Sequence, residues 1–586
     1  MYILGISDSH DAGAAVVKDG KIIAAVSEER LCREKGAYGF PFKSIPAVLK
    51  IAGITAKDIE YVIKGGNPYP YIYSSYNTTR NRHNRFLPEI KLDEMYNLSI
   101  FHKLFINYIK ERKVYSSQEL QSFSRMVKVN NRSSELTKNS LRKLGLNKDV
   151  YFLDHHYCHL ASAFYTSGFD KALVFSLDFS GDNKSGMVGI GNRNKIDVVE
   201  ALDAQNSVGC FYGFVTKGLG FKLNRHEGKI VGLAAYGNPE KLYSTFKKFI
   251  WHSKSRIIVR QRYKLLSLVG QFEKKDAKHV AAAAQRLLEE VTVAWIKYFI
   301  DKHKLSNIIL TGGVFANVKL NQRIHEIKAV KNVWVFPNMG DGGLGAGAAL
   351  ELYHRRNNAS NNSTTTKTYQ LENVYLGQDY SDEVIERQLK RYKLTYQHHK
   401  NIEKEIAALI SKKKVVARCD GAMEFGPRAL GNRTIMYEAK DPEVNKWLNE
   451  RLKRTEFMPF APATLFEDRE KCYKNVAGAE HSAEFMTITF DCTDFMRKNS
   501  PAAVHVDNTA RPQLVRKEVN PSFYKVIQEY KKITGIPTVI NTSFNMHEEP
   551  IVCTPSDAIR SFLQGNLDYL AIGNFLVRNK KNKPAK

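Results

Sequence analysis

Near its start the chain reads Ile3-Leu-Gly-Ile-Ser-Asp8-Ser-His-Asp-Ala-Gly-Ala-Ala-Val-Val17, which is an apolar run, a polar turn and a second apolar run. The arrangement returns at Leu173-Val-Phe-Ser-Leu-Asp178-Phe-Ser-Gly-Asp182, which leads into Met187-Val-Gly-Ile190. Both copies place an aspartate where the first run ends and a glycine-containing turn after it, a pattern typical of β-hairpins. The repeat fits two tandem α/β halves, each of which opens on a hairpin, and the alternative is a pair of ordinary, unrelated β-hairpins.

A pair of histidines follows the short apolar run Val150-Tyr-Phe-Leu153. In Asp154-His-His-Tyr-Cys-His159, the aspartate is a good helix N-cap, so a helix is predicted to begin there. His155 and His159 would then lie on one helix face and could share a metal ion. An isolated pair with this spacing is more often a coincidence, so the interpretation requires further ligands.

Two glycine-rich turns supply candidates for those ligands. The strand Ser306–Leu310 runs into Thr311-Gly-Gly-Val-Phe-Ala-Asn317, and a second turn reads Met339-Gly-Asp341-Gly-Gly. Glycines permit close backbone approach to a ligand, and a following helix N-terminus favours an anion. With the two histidines, Asp178 and Asp341 make a mixed nitrogen and oxygen set that suits Fe(II), Mn(II) or Zn(II).

Composition points to a globular, multidomain protein. The chain has 586 residues, of which 43% are hydrophobic, and a formal net charge of +28. The charge is spread along the chain without a recognised nucleic-acid motif, so nucleic acid is not expected as a partner, whereas a peripheral membrane contact stays open. Seven cysteines without a CxxC pair, no visible secretory signal and no long apolar span lead us to expect a cytoplasmic protein.

The polar run Asn357–Thr366 predicts a linker over 356–369, between a first domain 1–355 and a second domain 370–586. Residues 70–146, with an amphipathic helix expected over 98–109, interrupt the two halves of the first domain. This insertion could recognise an acceptor, decorate the fold or form a homodimer surface.

The second part carries clustered basic and amide residues beside glycine and proline turns. Two arginines five residues apart around a Gly-Pro turn can grip a phosphate. The candidate residues for binding an anionic, phosphate-bearing ligand are Arg428, Arg433, Lys453, Arg454, Arg511, Asn541, Ser543 and Asn545. Lys453 and Arg454 are expected on a helix.

Taken together, these segments resemble the ATP-dependent O-carbamoyltransferase family, which includes Nod-factor, cephamycin and tobramycin carbamoyltransferases. The resemblance covers essentially the whole chain. Besides the histidine run and the second part, it rests on His10-Asp11-Ala, Glu28-Glu-Arg30, Glu227-Gly-Lys229, Gly312-Gly-Val and Gly340-Asp-Gly.

The resemblance implies an α/β protein with a duplicated ASKHA-type (actin/sugar-kinase-like) N-terminal domain and a YrdC-like C-terminal domain. It implies a metal site at His155, His159, Asp178 and Asp341, usually holding iron, and ATP used with Mg. His10 is the candidate general base, because the ordinary pKa of a histidine suits proton transfer, and Asp11 is a second catalytic candidate; the alternative for His10 is a plain turn residue of the hairpin. The nucleotide-binding residues expected in the N-terminal domain are Glu227, Lys229, Gly312, Gly313 and Asn317. Many relatives carry a basic residue where this chain has Met458.

The expected reaction joins a carbamoyl group from carbamoyl phosphate to AMP and then transfers it to a hydroxyl of a sugar-containing or natural-product acceptor. Two alternatives remain at this point. One is a tRNA modification enzyme of the threonylcarbamoyl type, which the net charge favours. The other is a non-catalytic nucleotide-binding relative.

Overall fold

A computed structural model describes residues 1–66, 90–91, 135–272, 276–359, 368–454 and 457–580. Most of the predicted insertion 70–146, including the helix expected over 98–109, lies outside these residues. Within the insertion, Ile90–Lys91 forms a short strand and residues 135–143 are helical.

The first half of the N-terminal domain is built on one mixed sheet. Its strands are β1 (Tyr2–Ser7), β2 (Gly13–Lys18), β3 (Lys21–Ser27), β4 (Tyr61–Gly65), β5 (Ile90–Lys91) and β6 (Val150–Leu153). Their order is β3-β2-β1-β4-β6-β5, in which β1, β2 and β3 are antiparallel and β4 and β6 continue from β1 in parallel. The predicted hairpin is the pair β1–β2, with Ser7 opposite Gly13.

The second half repeats this topology. Its strands are β7 (Lys171–Gly181), β8 (Lys184–Asn192), β9 (Lys195–Asp203), β10 (Ile250–Ser253), β11 (Arg256–Val259), β12 (Asn307–Thr311) and β13 (Asn332–Val335). The sheet order is β13-β12-β7-β8-β9, again three antiparallel strands followed by two parallel ones, while β10 and β11 pair separately. The matching strand orders confirm the predicted duplicated α/β fold.

Helices cover the two sheets of this domain. They are Glu28–Cys32, Ser44–Ile51, His155–Phe164, Val208–Gly218, Glu227–Ala234, Tyr243–Lys247, Arg262–Val269, Ala277–His303, Val318–His325 and Leu344–Ala359. Since each sheet presents apolar strands on both faces, packing helices against them removes that surface from water.

Glycines position the helix Leu344–Ala359 against its neighbours. A Cβ on Gly345 would lie 2.9 Å from the carbonyl oxygen of Gly5 in β1, and a Cβ on Gly347 would lie 2.0 Å from that of Cys158. Neither contact leaves room for a side chain, so the small residues allow the helix to lie directly on β1 and on the helix His155–Phe164. The turn that carries Asp341 is thereby held beside the two histidines.

The C-terminal domain is built on an eight-stranded sheet in the order β14-β23-β22-β15-β16-β21-β17-β20, with β18 and β19 as a separate pair. The strands are β14 (Tyr396–His398), β15 (Val416–Cys419), β16 (Arg433–Glu438), β17 (Ala461–Leu465), β18 (Phe490–Asp491), β19 (Thr509–Ala510), β20 (Gln513–Val515), β21 (Thr538–Ser543), β22 (Tyr569–Ile572) and β23 (Phe575–Arg578). The helices are Asp382–Arg391, Ile402–Ser411, Val444–Arg451, Arg469–Cys472, Glu480–Ala483, Asp494–Asn499, Pro521–Thr534 and Pro555–Gln564.

The two domains share part of their cores. Tyr473, Phe490 and Met496 of the C-terminal domain belong to the same buried cluster as Trp295 and Phe175 of the N-terminal domain. Separating the two domains would therefore expose apolar surface on each of them.

The predicted linker 356–369 differs in part from the structure. Its first four residues continue the helix Leu344–Ala359, and residues 360–367 lie outside the described part of the chain. At its far end, Tyr369 accepts a hydrogen bond through its backbone carbonyl from the backbone nitrogen of Gly168, so the chain is already packed on the N-terminal domain there.

Among the helices that the structure describes, none combines the length and apolarity that a bilayer crossing requires.

Candidate functional site

Two histidines project from the first turns of the helix that follows β6. Asp154 caps this helix as predicted, since its carboxylate accepts a hydrogen bond of 3.1 Å from the backbone nitrogen of Tyr157. His155 and His159 are both buried, and their Nε2 atoms lie 3.2 Å apart. The helix therefore presents two imidazole nitrogens to one point.

Two aspartates approach the same point from the second half of the domain. Asp178 lies in β7, and its Oδ2 is 3.0 Å from Nε2 of His159 and 3.7 Å from Nε2 of His155. Asp341 begins the turn before the helix Leu344–Ala359, and its Oδ1 is 3.5 Å from Nε2 of His155 and 3.7 Å from Nε2 of His159. One ligand atom from each of the four side chains lies within 4.8 Å of all the others.

The geometry of these four residues fits a divalent transition metal. Nitrogen and oxygen ligands bind zinc at about 2.0–2.2 Å, so ligands around one such ion stand roughly 3 to 3.6 Å apart. The separations of 3.0–3.7 Å between the histidine nitrogens and the carboxylate oxygens are close to that spacing. A set of two imidazoles and two carboxylates suits iron, manganese or zinc.

The electrostatics of this cluster favour a bound cation. Burial opposes protonation of His155, but the carboxylates of Asp341 and Asp178 outweigh it and raise its pKa to about 10. Burial also opposes the charge on Asp178, yet hydrogen bonds to the two histidines hold its pKa well below the usual range. The carboxylates thus stabilise positive charge at the point where a metal ion would lie.

Neighbouring groups hold the ligands in place. The backbone nitrogen of His155 donates a 2.7 Å hydrogen bond to Asp182. Burial lowers the pKa of His156 to about 3, so this ring is neutral, and its Nδ1 lies 2.9 Å from Oγ of Ser176. Such outer contacts fix the orientation of ligands in metal sites.

The glycine turn after β12 lies directly against the Asp178 ligand. Gly312 has a φ of 90°, and a Cβ there would lie 2.2 Å from the carbonyl oxygen of Leu177. A Cβ on Gly313 would lie 3.0 Å from Oδ1 of Asp178. The turn ends at Asn317, whose side-chain oxygen caps the next helix by accepting from the backbone nitrogen of Leu320 at 3.1 Å.

A basic cavity of about 290 Å³ lies where the two domains meet. Each domain contributes three basic side chains to its wall, which are Lys35, Arg225 and Lys229 from the first and Arg428, Arg454 and Arg511 from the second. Glu548 is the acidic residue among the described lining residues. A wall with this excess of positive charge suits phosphate groups.

Amide and hydroxyl groups at the end of β21 complete one wall of this cavity. Asn541, Ser543 and Asn545 line it together with Arg454. The Arg454 guanidinium donates to Oγ1 of Thr542 at 3.0 Å, to the carbonyl oxygen of Ser543 at 2.7 Å and to Oδ1 of Asn545 at 2.7 Å. The strand end therefore fixes where this charge points.

Two of the predicted phosphate ligands lie elsewhere. Arg433 is buried in β16, and its Nη1 donates to the carbonyl oxygens of Asp420 and Gly421 at 3.0 Å, so it holds a turn and does not line the cavity. The helix expected to carry Lys453 and Arg454 ends at Arg451, so that expectation is wrong. Lys453 is exposed in a left-handed conformation with a φ of 57°, and its neighbour Arg454 enters the cavity wall.

Glu548 of the C-terminal domain makes ionic contacts with the N-terminal domain beside this cavity. Glu548 accepts from Nζ of Lys222 at 2.8 Å and lies 3.0 Å from Nε2 of His226. The hydrogen bond from Lys222 is the main reason that the pKa of Glu548 falls to about 2. Because the pKa of Glu548 is lower in the folded protein than in the unfolded chain, the ionised carboxylate stabilises the fold at pH values above the unfolded pKa. This stabilisation is lost as the pH falls toward 2.

The sequence interpretation did not include all the residues that line the cavity. Lys35, Arg225, His226, His547 and Glu548 were absent from it. The available signal was adjacency, since the Arg-His pair directly precedes Glu227-Gly-Lys229 and the His-Glu pair follows Asn545 by one residue.

His10 and Asp11 occupy the turn between β1 and β2. Nδ1 of His10 lies 2.9 Å from Oδ2 of Asp11, and this hydrogen bond, opposed by burial, raises the pKa of His10. Glu227 begins the helix Glu227–Ala234, accepts from the backbone nitrogen of Asn224 at 2.8 Å, and has a pKa raised by burial. His10 interacts electrostatically with both Asp341 of the metal-binding cluster and Glu227, so its side chain lies near both.

Comparison with known proteins gives two matching family models. They are described as "Carbamoyltransferase N-terminus", over residues 2–350, and "Carbamoyltransferase C-terminus", over residues 407–579. The chain is 32% identical to an uncharacterized protein of Methanocaldococcus jannaschii, over 99% of this chain and 100% of that protein. It is 29% identical to nodulation protein NolNO of Sinorhizobium fredii, over 98% of this chain and 80% of that protein. Among solved structures, HypF of T. kodakarensis aligns with a TM-score of 0.34 at 13% identity, covering 61% of this chain and 48% of that one, a similarity too low to build on.

Proposed function

This chain belongs to the carbamoyltransferase family, and from that premise we propose that it consumes carbamoyl phosphate and ATP and carbamoylates a hydroxyl group. The observation that carries the proposal is the pairing of a strongly basic cavity between the domains with a separate metal-binding cluster. The two sites correspond to two chemical steps, activation of the carbamoyl group and its transfer.

The first step takes place in the basic cavity. Water releases orthophosphate from carbamoyl phosphate, the resulting carbamate oxygen attacks the α-phosphorus of ATP, and pyrophosphate leaves. Arg428, Arg454 and Arg511 converge from the C-terminal domain and Lys229 from the N-terminal domain, which supports charge neutralisation as phosphate bonds form and break. Mg accompanies ATP in this step.

The carbamoyladenylate then moves a short way within the protein. Ala316 lines the cavity, and Gly313 in the same short helical turn lies against Asp178 of the metal-binding cluster. One turn of chain therefore connects the two sites. This arrangement supports direct passage of a reactive intermediate that water would otherwise hydrolyse.

The second step joins the carbamoyl carbon to an acceptor oxygen. His155, His159, Asp178 and Asp341 would hold a divalent ion, which supplies Lewis-acid polarisation of a carbonyl when bound. His10, oriented through Nδ1 by Asp11, takes the hydroxyl proton at Nε2. The acceptor oxygen bonds to the carbamoyl carbon, and AMP leaves.

The activation step is tested by carbamoyl-phosphate-dependent exchange of labelled pyrophosphate into ATP. The full chain is required, since the two domains share a buried cluster. Arg454→Met should lower the exchange roughly a hundredfold, because it removes a cavity charge that would bind a phosphate oxygen, and a hydrogen bond to a charged group contributes about 1.5–3 kcal/mol. Lys453→Met is a matched control, since it removes the same charge from the exposed neighbouring position.

Arg511→Met serves as a second cavity variant, since Arg454 also braces the end of β21. Absence of exchange in the wild-type protein, or equal exchange in the Arg454 and Arg511 variants and the Lys453 control, would contradict the proposal.

A further inference from the structure

A second cavity of about 150 Å³ lies beside the basic one. The two share Val231 and Met458 as a common wall. The second cavity is bounded by the helices Glu227–Ala234 and Ala277–His303 and by residues 505–509 of the C-terminal domain. It is thus another space between the domains, one residue layer away from the proposed activation step.

The charges around this second cavity are balanced. Lys319 and Asp507 pair at 2.7 Å, and Arg286 pairs with Glu290 at 2.7 Å. Glu289 accepts a 2.7 Å hydrogen bond from Gln285, and burial raises the pKa of the Glu289 carboxyl. Unlike the basic cavity, this space offers no excess charge that would select a phosphate.

A buried imidazole in its wall lacks a hydrogen-bond partner on one nitrogen. Nδ1 of His505 lies 3.4 Å from Oδ1 of Asp507, which also accepts from the hydroxyl of Thr509 at 2.6 Å. His505 is only 7% exposed, and among the described residues its Nε2 has no partner. A buried polar nitrogen without a partner costs free energy unless a ligand satisfies it.

We propose that this second cavity is the acceptor subsite, in which Nε2 of His505 and the free edge of the Glu289 carboxyl bind hydroxyl groups of a neutral, polyhydroxylated ring. The proposal rests on the proposed function, because an acceptor is meaningful only if a carbamoyl group is transferred. It adds the location of the acceptor and the charge of the ring that is recognised.

The chemistry of the wall fits such a ring. Carboxylate and imidazole groups bind hydroxyls, while Val231, Ala234 and Ala282 offer apolar surface to the carbon–hydrogen face of a sugar. Tyr236 stands edge-on to the His505 ring at 5.7 Å and is 48% exposed, so an aromatic side chain is available next to the cavity.

The cavity also lies near the turn that borders the metal-binding cluster. Gln285 lines it and exchanges two hydrogen bonds with Asn317, of 3.1 and 2.8 Å. Asn317 ends the turn whose Gly313 lies against Asp178. An acceptor in this cavity would thus lie beside the same turn that links the basic cavity to the cluster.

The test uses the full chain and ligand-observed saturation-transfer NMR, with the basic cavity filled by a non-hydrolysable ATP analogue. The probes are methyl β-D-glucopyranoside and methyl N-acetyl-β-D-glucosaminide, with glucose 6-phosphate as the charged counterpart. We expect the two neutral glycosides to bind and the phosphate to bind more weakly. His505→Phe keeps the ring but removes its nitrogens, and should weaken glycoside binding roughly tenfold.

Glu289→Gln is the second variant, and its near-identical shape keeps the test valid if the first variant fails to fold, which circular dichroism detects. His252→Phe is the matched control, since His252 is exposed on the hairpin β10–β11 and lines neither cavity. Lack of binding by both neutral glycosides, stronger binding of glucose 6-phosphate, or wild-type binding in both cavity variants would overturn the proposal.

Pyrophosphate exchange in the wild-type protein separates this outcome from failure of the proposed function. Exchange without glycoside binding would disprove the acceptor subsite and leave the proposed function intact. Glycoside binding without exchange removes the proposed function and the acceptor role with it, and leaves a glycoside-binding site.

Discussion

Replacing Gly313 by alanine should weaken metal binding without unfolding the protein. The new Cβ would lie 3.0 Å from Oδ1 of Asp178, whereas ordinary contacts begin at 3.4 Å, so the carboxylate must move by about 0.4 Å. Metal–ligand distances tolerate only about 0.2 Å of error. Since Oδ1 and Oδ2 move together, the oxygen that faces His159 is displaced as well. We expect a loss of metal affinity of roughly 10- to 100-fold, the range seen when support around a ligand is altered.

The assay is a competition between metal-free protein and a chelator for Zn(II) and for Mn(II), read by elemental analysis. Gly270→Ala is the matched control, because Gly270 has a φ of −65° and its Cβ would find its nearest neighbour at 3.5 Å. Gly312→Ala marks the severe limit, since its φ of 90° and a contact of 2.2 Å predict loss of the folded turn. Wild-type metal affinity in the Gly313 variant would refute the reasoning, because Asp178 could not then be a tightly placed ligand.

Three further predictions follow from contacts around the two sites. Asp11→Asn replaces the carboxylate that raises the pKa of His10 by a neutral amide, so the acidic limb of the pH–rate profile for carbamoyl transfer should move to lower pH; an unmoved limb would contradict the role of His10 as base. Arg30→Met breaks the 2.6 Å hydrogen bond from a buried guanidinium to the carbonyl oxygen of Gly426 in the other domain, so the free energy of unfolding should fall by about 1–3 kcal/mol in a denaturant titration, and no loss would show that the contact is dispensable. Glu548→Gln should lower the free energy of unfolding at pH 7. The difference in this free energy from the wild-type protein should narrow as the pH falls toward 2, because protonation of the native carboxylate removes the same ionic contacts. A difference that stays constant between pH 7 and pH 3 would argue against this role of Glu548.

Much of the fold follows from local patterns in the sequence. The apolar runs and polar glycine turns at Ile3–Val17 and at residues 173–190 predict the two hairpins on which the sheets are built, while the duplicated fold is implied by the family resemblance. The cap at Asp154 and the spacing of His155 and His159 predict one helix face with two imidazoles. These features depend on contacts within a few residues, which sequence spacing describes well.

The composition of the basic cavity depends on side-chain direction and on contacts between domains. Arg433 and Arg454 look alike in the sequence, yet Arg433 begins the fully buried strand β16 and its guanidinium is taken up by turn carbonyls, whereas Arg454 follows the left-handed residue Lys453 and lines the cavity. Lys35 and Arg225 reach the cavity from parts of the N-terminal domain far from the C-terminal motifs. No spacing rule connects such residues, since only the packed domains bring them together.

The sequence patterns also do not predict that the two domains share a buried core. The polar run Asn357–Thr366 predicts a simple division of the chain, but residues 472–514 of the second domain contribute to a core of the first. Apolar residues such as Tyr473 and Phe490 show that a segment is buried, and do not show against which domain it is buried.

The most direct test of the two-step account is the double variant His155→Ala/His159→Ala in the full chain. Carbamoyl-phosphate-dependent exchange of pyrophosphate into ATP should continue at a rate close to that of the wild-type protein, while AMP release that depends on an added hydroxyl acceptor should be lost. Such a separation would place activation in the basic cavity and transfer at the histidine and aspartate cluster. Loss of exchange in a variant that remains folded, or acceptor-dependent AMP release that survives, would contradict the account.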